Sequence, residues 1–149
     1  MGIKLYAGAD LVLQIHYPAG SSNKLDSTRI NFKLSTGVLR TVSLAPILNH
    51  QTSLQNGPLA IPANSVASFE EYYQLPNVDI TVLSVAPHAH LINTTWLSYA
   101  VTTLNDTIPL IKINDWNFQW QGSYAFRNLL KIPKQTNLDY ADCLRCCRK

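Results

Sequence analysis

Apolar residues recur at every second position along this chain, and no stretch of about 12 residues carries an apolar stripe at helical spacing. A half-buried strand needs the first pattern, because successive side chains leave opposite faces of a pleated backbone, whereas a surface helix needs the second. The residues filling the pattern are the β-branched and aromatic ones that suit a pleated surface. Strands are predicted at residues 11–17, 29–34, 40–48, 65–74, 78–89, 95–102, 108–113 and 123–126. Turn chemistry separates them at Ser35-Thr36-Gly37, Asn56-Gly57-Pro58, Pro62-Ala63-Asn64, Pro76-Asn77, Asn105-Asp106 and Gln121-Gly122. Short strands broken at fairly regular intervals imply an all-β fold, an antiparallel sandwich or jelly roll with little helix.

Composition narrows the partners. The chain has 149 residues, 46% of them hydrophobic and 14% charged, with no unbroken apolar run near the ~18 residues of a membrane helix, so no membrane span is expected. Its net charge of +3 is small and its basic residues are scattered apart from the last few, so no stripe that would track phosphates forms and no nucleic acid partner is expected. Met1-Gly2-Ile3-Lys4 leads into Leu5-Tyr6-Ala7-Gly8 without the charged start and long apolar stretch of a secretory signal peptide. Cys143, Cys146 and Cys147 crowd the last seven residues, which is neither a disulfide framework nor the paired spacing of a zinc ribbon.

The strongest chemical signal is Pro87-His88-Ala89-His90-Leu91. On an extended backbone residues two apart share a face, so both imidazoles can reach one metal ion while Ala89 points away. On the expected strand the same face carries Ile80, Val82, Ser84 and Ala86, placing the pair at the end of a buried strand. Imidazole suits copper, zinc, iron and nickel alike, and the same spacing also suits two hydrogen-bonded surface histidines. His16 ends the first expected strand, before Tyr17-Pro18, and by itself reads as an ordinary strand histidine; His50 falls in a polar loop with no paired ligand. The aromatic run Asp115-Trp116-Asn117-Phe118-Gln119-Trp120 can serve as a ligand or sugar platform, though tryptophans beside a sandwich edge more often cover a core. Asn93-Thr94-Thr95 and Asn105-Asp106-Thr107 match the glycosylation sequon. There is no nucleophile elbow, phosphate loop or carboxylate pair on one strand face, so hydrolase chemistry has little support.

Taken together, two histidine motifs say more than either alone. Leu11-Val12-Leu13-Gln14-Ile15-His16-Tyr17 resembles the strand of the copper type II, ascorbate-dependent monooxygenases (the peptidylglycine α-hydroxylating and dopamine β-type enzymes) that supplies one histidine to their first copper site. Val85-Ala86-Pro87-His88-Ala89-His90-Leu91 resembles the strand that supplies two ligands to their second copper, and Ile61-Pro62-Ala63-Asn64 and residues 116–126 follow the family's order. The resemblance covers most of residues 5–141, by motif order more than by identity. It implies two jelly-roll-like sandwiches, the end of a first one in residues 1–37 and most of a second in 38–149. It further implies two copper ions with ascorbate as reductant, and an extracytoplasmic protein, secreted or periplasmic. The implied substrate is a small molecule or peptide that is hydroxylated with molecular oxygen. His16 would serve the first, electron-transfer copper; His88 and His90 would serve the second, oxygen-binding copper.

The chain departs from that family in two places. The family's first copper also uses an upstream adjacent histidine pair and its second a downstream methionine, whereas here the only methionine is Met1. The expectation is therefore an incomplete and inactive piece, with the Asp142–Lys149 tail an artefact of truncation or a shifted frame. The alternative is a non-catalytic β-sandwich module that binds a metal through His88 and His90 or a glycan through Trp116 and Trp120.

Overall fold

A computed structural model describes the backbone of residues 1–17, 19–46, 49 and 51–146, with side chains as far as Leu138. The chain divides into two compact units, Met1–Ala45 and Pro46–Lys149. Among the described residues there is no helix, and all the strands pair antiparallel, so the fold is all-β as expected.

In the first unit the expected strands at 11–17, 29–34 and 40–48 do not form over the described residues; the backbone pairing there is one bridge between Gly2 and Thr41. Alternation makes a strand only when a neighbouring strand completes the ladder and one face is covered. Here Leu11, Val12, Leu13 and Ile15 are all exposed, the odd positions and the even one alike. Local order comes instead from side chains around Asp26, whose carboxylate accepts from the Tyr17 hydroxyl at 2.7 Å and from the Thr28 hydroxyl.

The second unit contains six strands: β1 (Ser65–Gln74), β2 (Ile80–Val85), β3 (Asn93–Val101), β4 (Thr107–Ile113), β5 (Tyr124–Ile132) and β6 (Asn137–Cys146). They form a four-stranded sheet in the order β1-β6-β3-β4 and a two-stranded sheet of β2 and β5. β1 begins after Asn64, whose positive φ of 59° closes the expected Pro62-Ala63-Asn64 turn, and it spans the residues its alternation predicts. β6 is the strand that the alternation did not predict. It lies between β1 and β3 and takes in residues 142–146 of the tail, paired with β1 from Asn137↔Gln74 to Cys146↔Ser65 and with β3 along its other side.

The core lies between the two sheets. Leu75, Ala100, Ile132 and Leu138 are buried there, and Ile80 and Val82 of β2, Ile108 and Leu110 of β4 and Leu130 of β5 pack against them. One end of the sandwich is tied by a main-chain and a side-chain bond: Leu75 N–H donates to the Thr136 carbonyl at 2.9 Å, and Asp79 Oδ1 accepts from Lys134 N–H at 2.9 Å.

Connectivity prepares the site. β2 ends at Val85, paired with Tyr124 at the start of β5, while β3 begins near its partner in β4, Trp96 opposite Ile113. The β2–β3 and β4–β5 connections therefore both cross between the same two places, one on each sheet. Residues about thirty apart in sequence are brought side by side at one end of the sandwich.

Candidate metal centre

His88 and His90 lie in the β2–β3 crossover, not on the strand: the ladder stops at Val85, although residues 78–89 are predicted as one strand. The face expected from Ile80 and Val82 does not continue to them either. Those two side chains pack on the core, whereas Ala86, His88 and His90 are exposed, with a register shift between Val82 and Ser84. Such an irregularity re-aims the side chains that follow it.

Beyond that point the alternation resumes with the histidines outward. Ala89 packs against Trp96 of β3 and Trp116 of the opposite crossover, whose rings are 5.8 Å apart and tilted. With the methyl between them turned inward, the two imidazoles leave by one face, ring centres 5.4 Å apart and nearly perpendicular. With metal–nitrogen bonds of about 2 Å, two imidazoles on one ion hold their ring centres roughly 5 Å apart. The spacing and the donor type therefore fit a shared transition-metal ion.

The opposite crossover contacts both rings. His88 Nδ1 meets Gln121 Oε1 at 2.5 Å, and the Phe118 and His90 rings meet in an edge-to-face arrangement with centres 6.0 Å apart. Gln121 Nε2 donates in turn to the Phe118 carbonyl at 2.8 Å. Trp116 is buried, as its reading as core cover expects, but Trp120 is 73% exposed beside this contact and covers nothing. Gln121 carries no motif of its own; the signal available was the Gln121-Gly122 turn that follows the aromatic run holding Phe118, and crossover geometry supplied the contact.

His16 belongs to the first unit, exposed, one residue before Tyr17. His50 and the side chains of Cys143, Cys146 and Cys147 lie outside the described residues. Among the described residues no group of three or more His, Cys, Asp or Glu converges on a metal position. Of the two sequons, Asn93 is buried and Asn105 sits exposed at the β3–β4 turn with φ 62°. Comparison with protein-family models, curated proteins and solved structures finds no match to this chain.

Proposed function

We propose that the chain is a piece of a copper type II, ascorbate-dependent monooxygenase, and that His88 and His90 are two ligands of its oxygen-binding copper, with His16 a ligand of the electron-transfer copper. The observation that supports it most is the exposed imidazole pair, 5.4 Å between ring centres, anchored from behind by Ala89 on the Trp96–Trp116 pair. When bound, copper supplies the one-electron redox chemistry that such enzymes use, with oxygen and ascorbate, to hydroxylate a C–H bond.

The chain's own residues do the rest. The imidazoles present nitrogen lone pairs on a face open to solvent, where an ion and a small substrate can enter. The two indoles form a wall behind them that keeps the ligand segment extended. The exposed apolar side chains of the first unit, Val12, Leu25 and Val38 among them, are consistent with the edge of a sandwich whose core is made with further chain.

The sequence holds neither the adjacent histidine pair nor the downstream methionine of the family. Two imidazoles leave an ion under-ligated, so copper uptake without hydroxylation by this chain is expected. Copper(II) titration followed by electron paramagnetic resonance tests the reading. One ion should bind at the His88–His90 pair, be lost in His88→Ala and His90→Ala, and be retained in His16→Ala. Ascorbate- and copper-dependent hydroxylation by the chain alone would overturn its status as an inactive piece.

A second reading, a glycan-binding sandwich, is favoured by one observation: Trp120 is 73% exposed in a turn where its N–H donates to the Asn117 carbonyl. Trp116, its expected partner in a platform, is buried. A glycan-array screen of the chain and of Trp120→Ala separates it from the copper reading.

A further inference from the structure

The Gln121 amide is held at both ends. Its Nε2 donates to the Phe118 carbonyl at 2.8 Å, and its Oε1 lies 2.5 Å from His88 Nδ1. A carbonyl only accepts, so the Phe118 contact assigns the amide nitrogen to that side and the oxygen to the imidazole. An amide oxygen has no proton to give, so the second bond requires that His88 Nδ1 carry the hydrogen. A neutral imidazole has one such hydrogen, which leaves Nε2 with an open lone pair.

The clamp is built into its own loop. Asn117 Oδ1 accepts from Gln119 N–H at 2.9 Å and the Asn117 carbonyl accepts from Trp120 N–H at 2.9 Å, so the backbone between Phe118 and Gln121 is folded into a turn without the histidine. Trp116 N–H donates to the Thr94 carbonyl at 2.8 Å and holds the start of the same crossover against β3. The amide is therefore placed before the imidazole meets it.

We propose that Gln121 is a positioning residue: it locks His88 in the Nδ1–H tautomer, so that His88 offers Nε2 and not Nδ1 to a metal ion. The inference rests on the reading of His88 as a ligand. Ligating histidines donate their second ring N–H to an acceptor that fixes the ring's tautomer and orientation, and loss of such an acceptor typically lowers metal affinity. Gln121 meets that requirement with a neutral acceptor; a carboxylate in its place still accepts from Nδ1–H, but it has no N–H for the Phe118 carbonyl, so the other end of the clamp is lost.

The test begins on the full chain without metal, labelled with 15N-histidine, at a pH where the imidazoles are neutral. Long-range 1H–15N correlation should show His88 as the Nδ1–H tautomer in the parent chain and in Gln121→Glu, and as the Nε2–H form or a mixture in Gln121→Ala. Copper(II) titration should then show Gln121→Ala weakened by about 10–100-fold, and Gln121→Glu, which keeps the acceptor but not the Phe118 bond, weakened less than Gln121→Ala. An Nε2–H His88 in the parent, or a tautomer unchanged in Gln121→Ala, overturns the assignment. Copper uptake indifferent to His88→Ala overturns the metal reading instead; the tautomer, read without metal, distinguishes the two failures.

Discussion

The backbone N–H of Trp116 donates to the Thr94 carbonyl at 2.8 Å, and its indole packs against Trp96 of the same strand as Thr94. One residue thus fastens the β4–β5 crossover to β3 by main chain and by side chain. Because Ala89 rests on the same indole pair, the histidine segment inherits its position from this contact.

Trp116→Ala is expected to cost about 3–5 kcal/mol of stability, the usual range for removing a buried aromatic ring, and to weaken copper uptake although both imidazoles remain. Trp116→Phe should cost much less. It keeps most of the ring contact and removes an indole Nε1–H that is buried without a hydrogen-bond partner. Urea denaturation of the two variants checks the order; equal losses would mean that the indole nitrogen contributes to the fold.

Ala89→Leu keeps both histidines and changes what lies behind them. A larger side chain against the Trp96–Trp116 pair should cost about 1–3 kcal/mol through overpacking and displace the segment, so copper affinity should fall together with the denaturation midpoint. Copper binding unchanged in a destabilised Ala89→Leu would show that the pair does not depend on its anchor.

These contacts mark how far the sequence could be read. β1 was legible because Ser65, Ala67, Phe69 and Glu71 are the more buried positions of a strand bounded by turn residues at both ends. The common face of His88 and His90 was legible too, since an extended backbone alternates whether or not a ladder pairs it. The strands expected in the first unit do not form over the described residues, because alternation says nothing about whether a partner strand exists. β6 was hidden by Asp142, which interrupts an otherwise regular alternation of Leu138, Tyr140 and Leu144. Gln121 had no readable signal toward His88, 33 residues earlier, because that contact depends on two crossovers sharing one end of the sandwich.

In the first unit, hydrogen bonds from Thr28 and from Tyr17 hold the Asp26 carboxyl below the ordinary carboxylate value. The hydrogen bond to Asp26, with some desolvation and the carboxylate's charge, holds the Tyr17 phenol above its ordinary value. A lowered acid contributes stability that is present above its unfolded value and lost as pH falls through the folded one; a raised phenol contributes stability present below its unfolded value and lost as pH rises through the folded one. The Tyr17–Asp26 contact should therefore persist between about pH 4 and pH 10 and open on either side. Subtracting the ultraviolet titration of Tyr17→Phe from that of the parent isolates this phenol. Asp26→Asn should return it to the ordinary range, and no change would show that Asp26 does not hold it.

Thr136 offers a prediction against the usual direction of core substitutions. It is fully buried, its carbonyl accepts from Leu75 N–H at 2.9 Å, and its hydroxyl has no hydrogen-bond partner among the described residues. Thr136→Val preserves the shape and the main-chain bond while removing the unpaired hydroxyl, and should stabilise the chain by about 1 kcal/mol. A lower urea midpoint for this variant would mean that the hydroxyl is satisfied in solution.

The last prediction concerns β6, a strand absent from those the alternation predicts. β6 pairs with β1 on one side and β3 on the other, so it joins the two parts of the four-stranded sheet. Without it β1 loses its neighbouring strand, β3 keeps only β4, and the backbone groups along both open edges must find water. Ending the chain at Gln135 should therefore abolish cooperative unfolding and most of the β signal in far-ultraviolet circular dichroism, since it also removes the buried Thr136 and Leu138. Ala141→Pro is the gentler version: Ala141 pairs with Glu70 and with Leu97, and a proline there removes a donor from an interior strand while leaving the core residues in place. It should lower the urea midpoint well below the parent's and weaken copper uptake indirectly, by loosening β3 and the Trp96 it carries. A shortened chain that still unfolds cooperatively with an unchanged spectrum would show that the residues after Gln135 are dispensable, and the artefact reading of this tail would then stand.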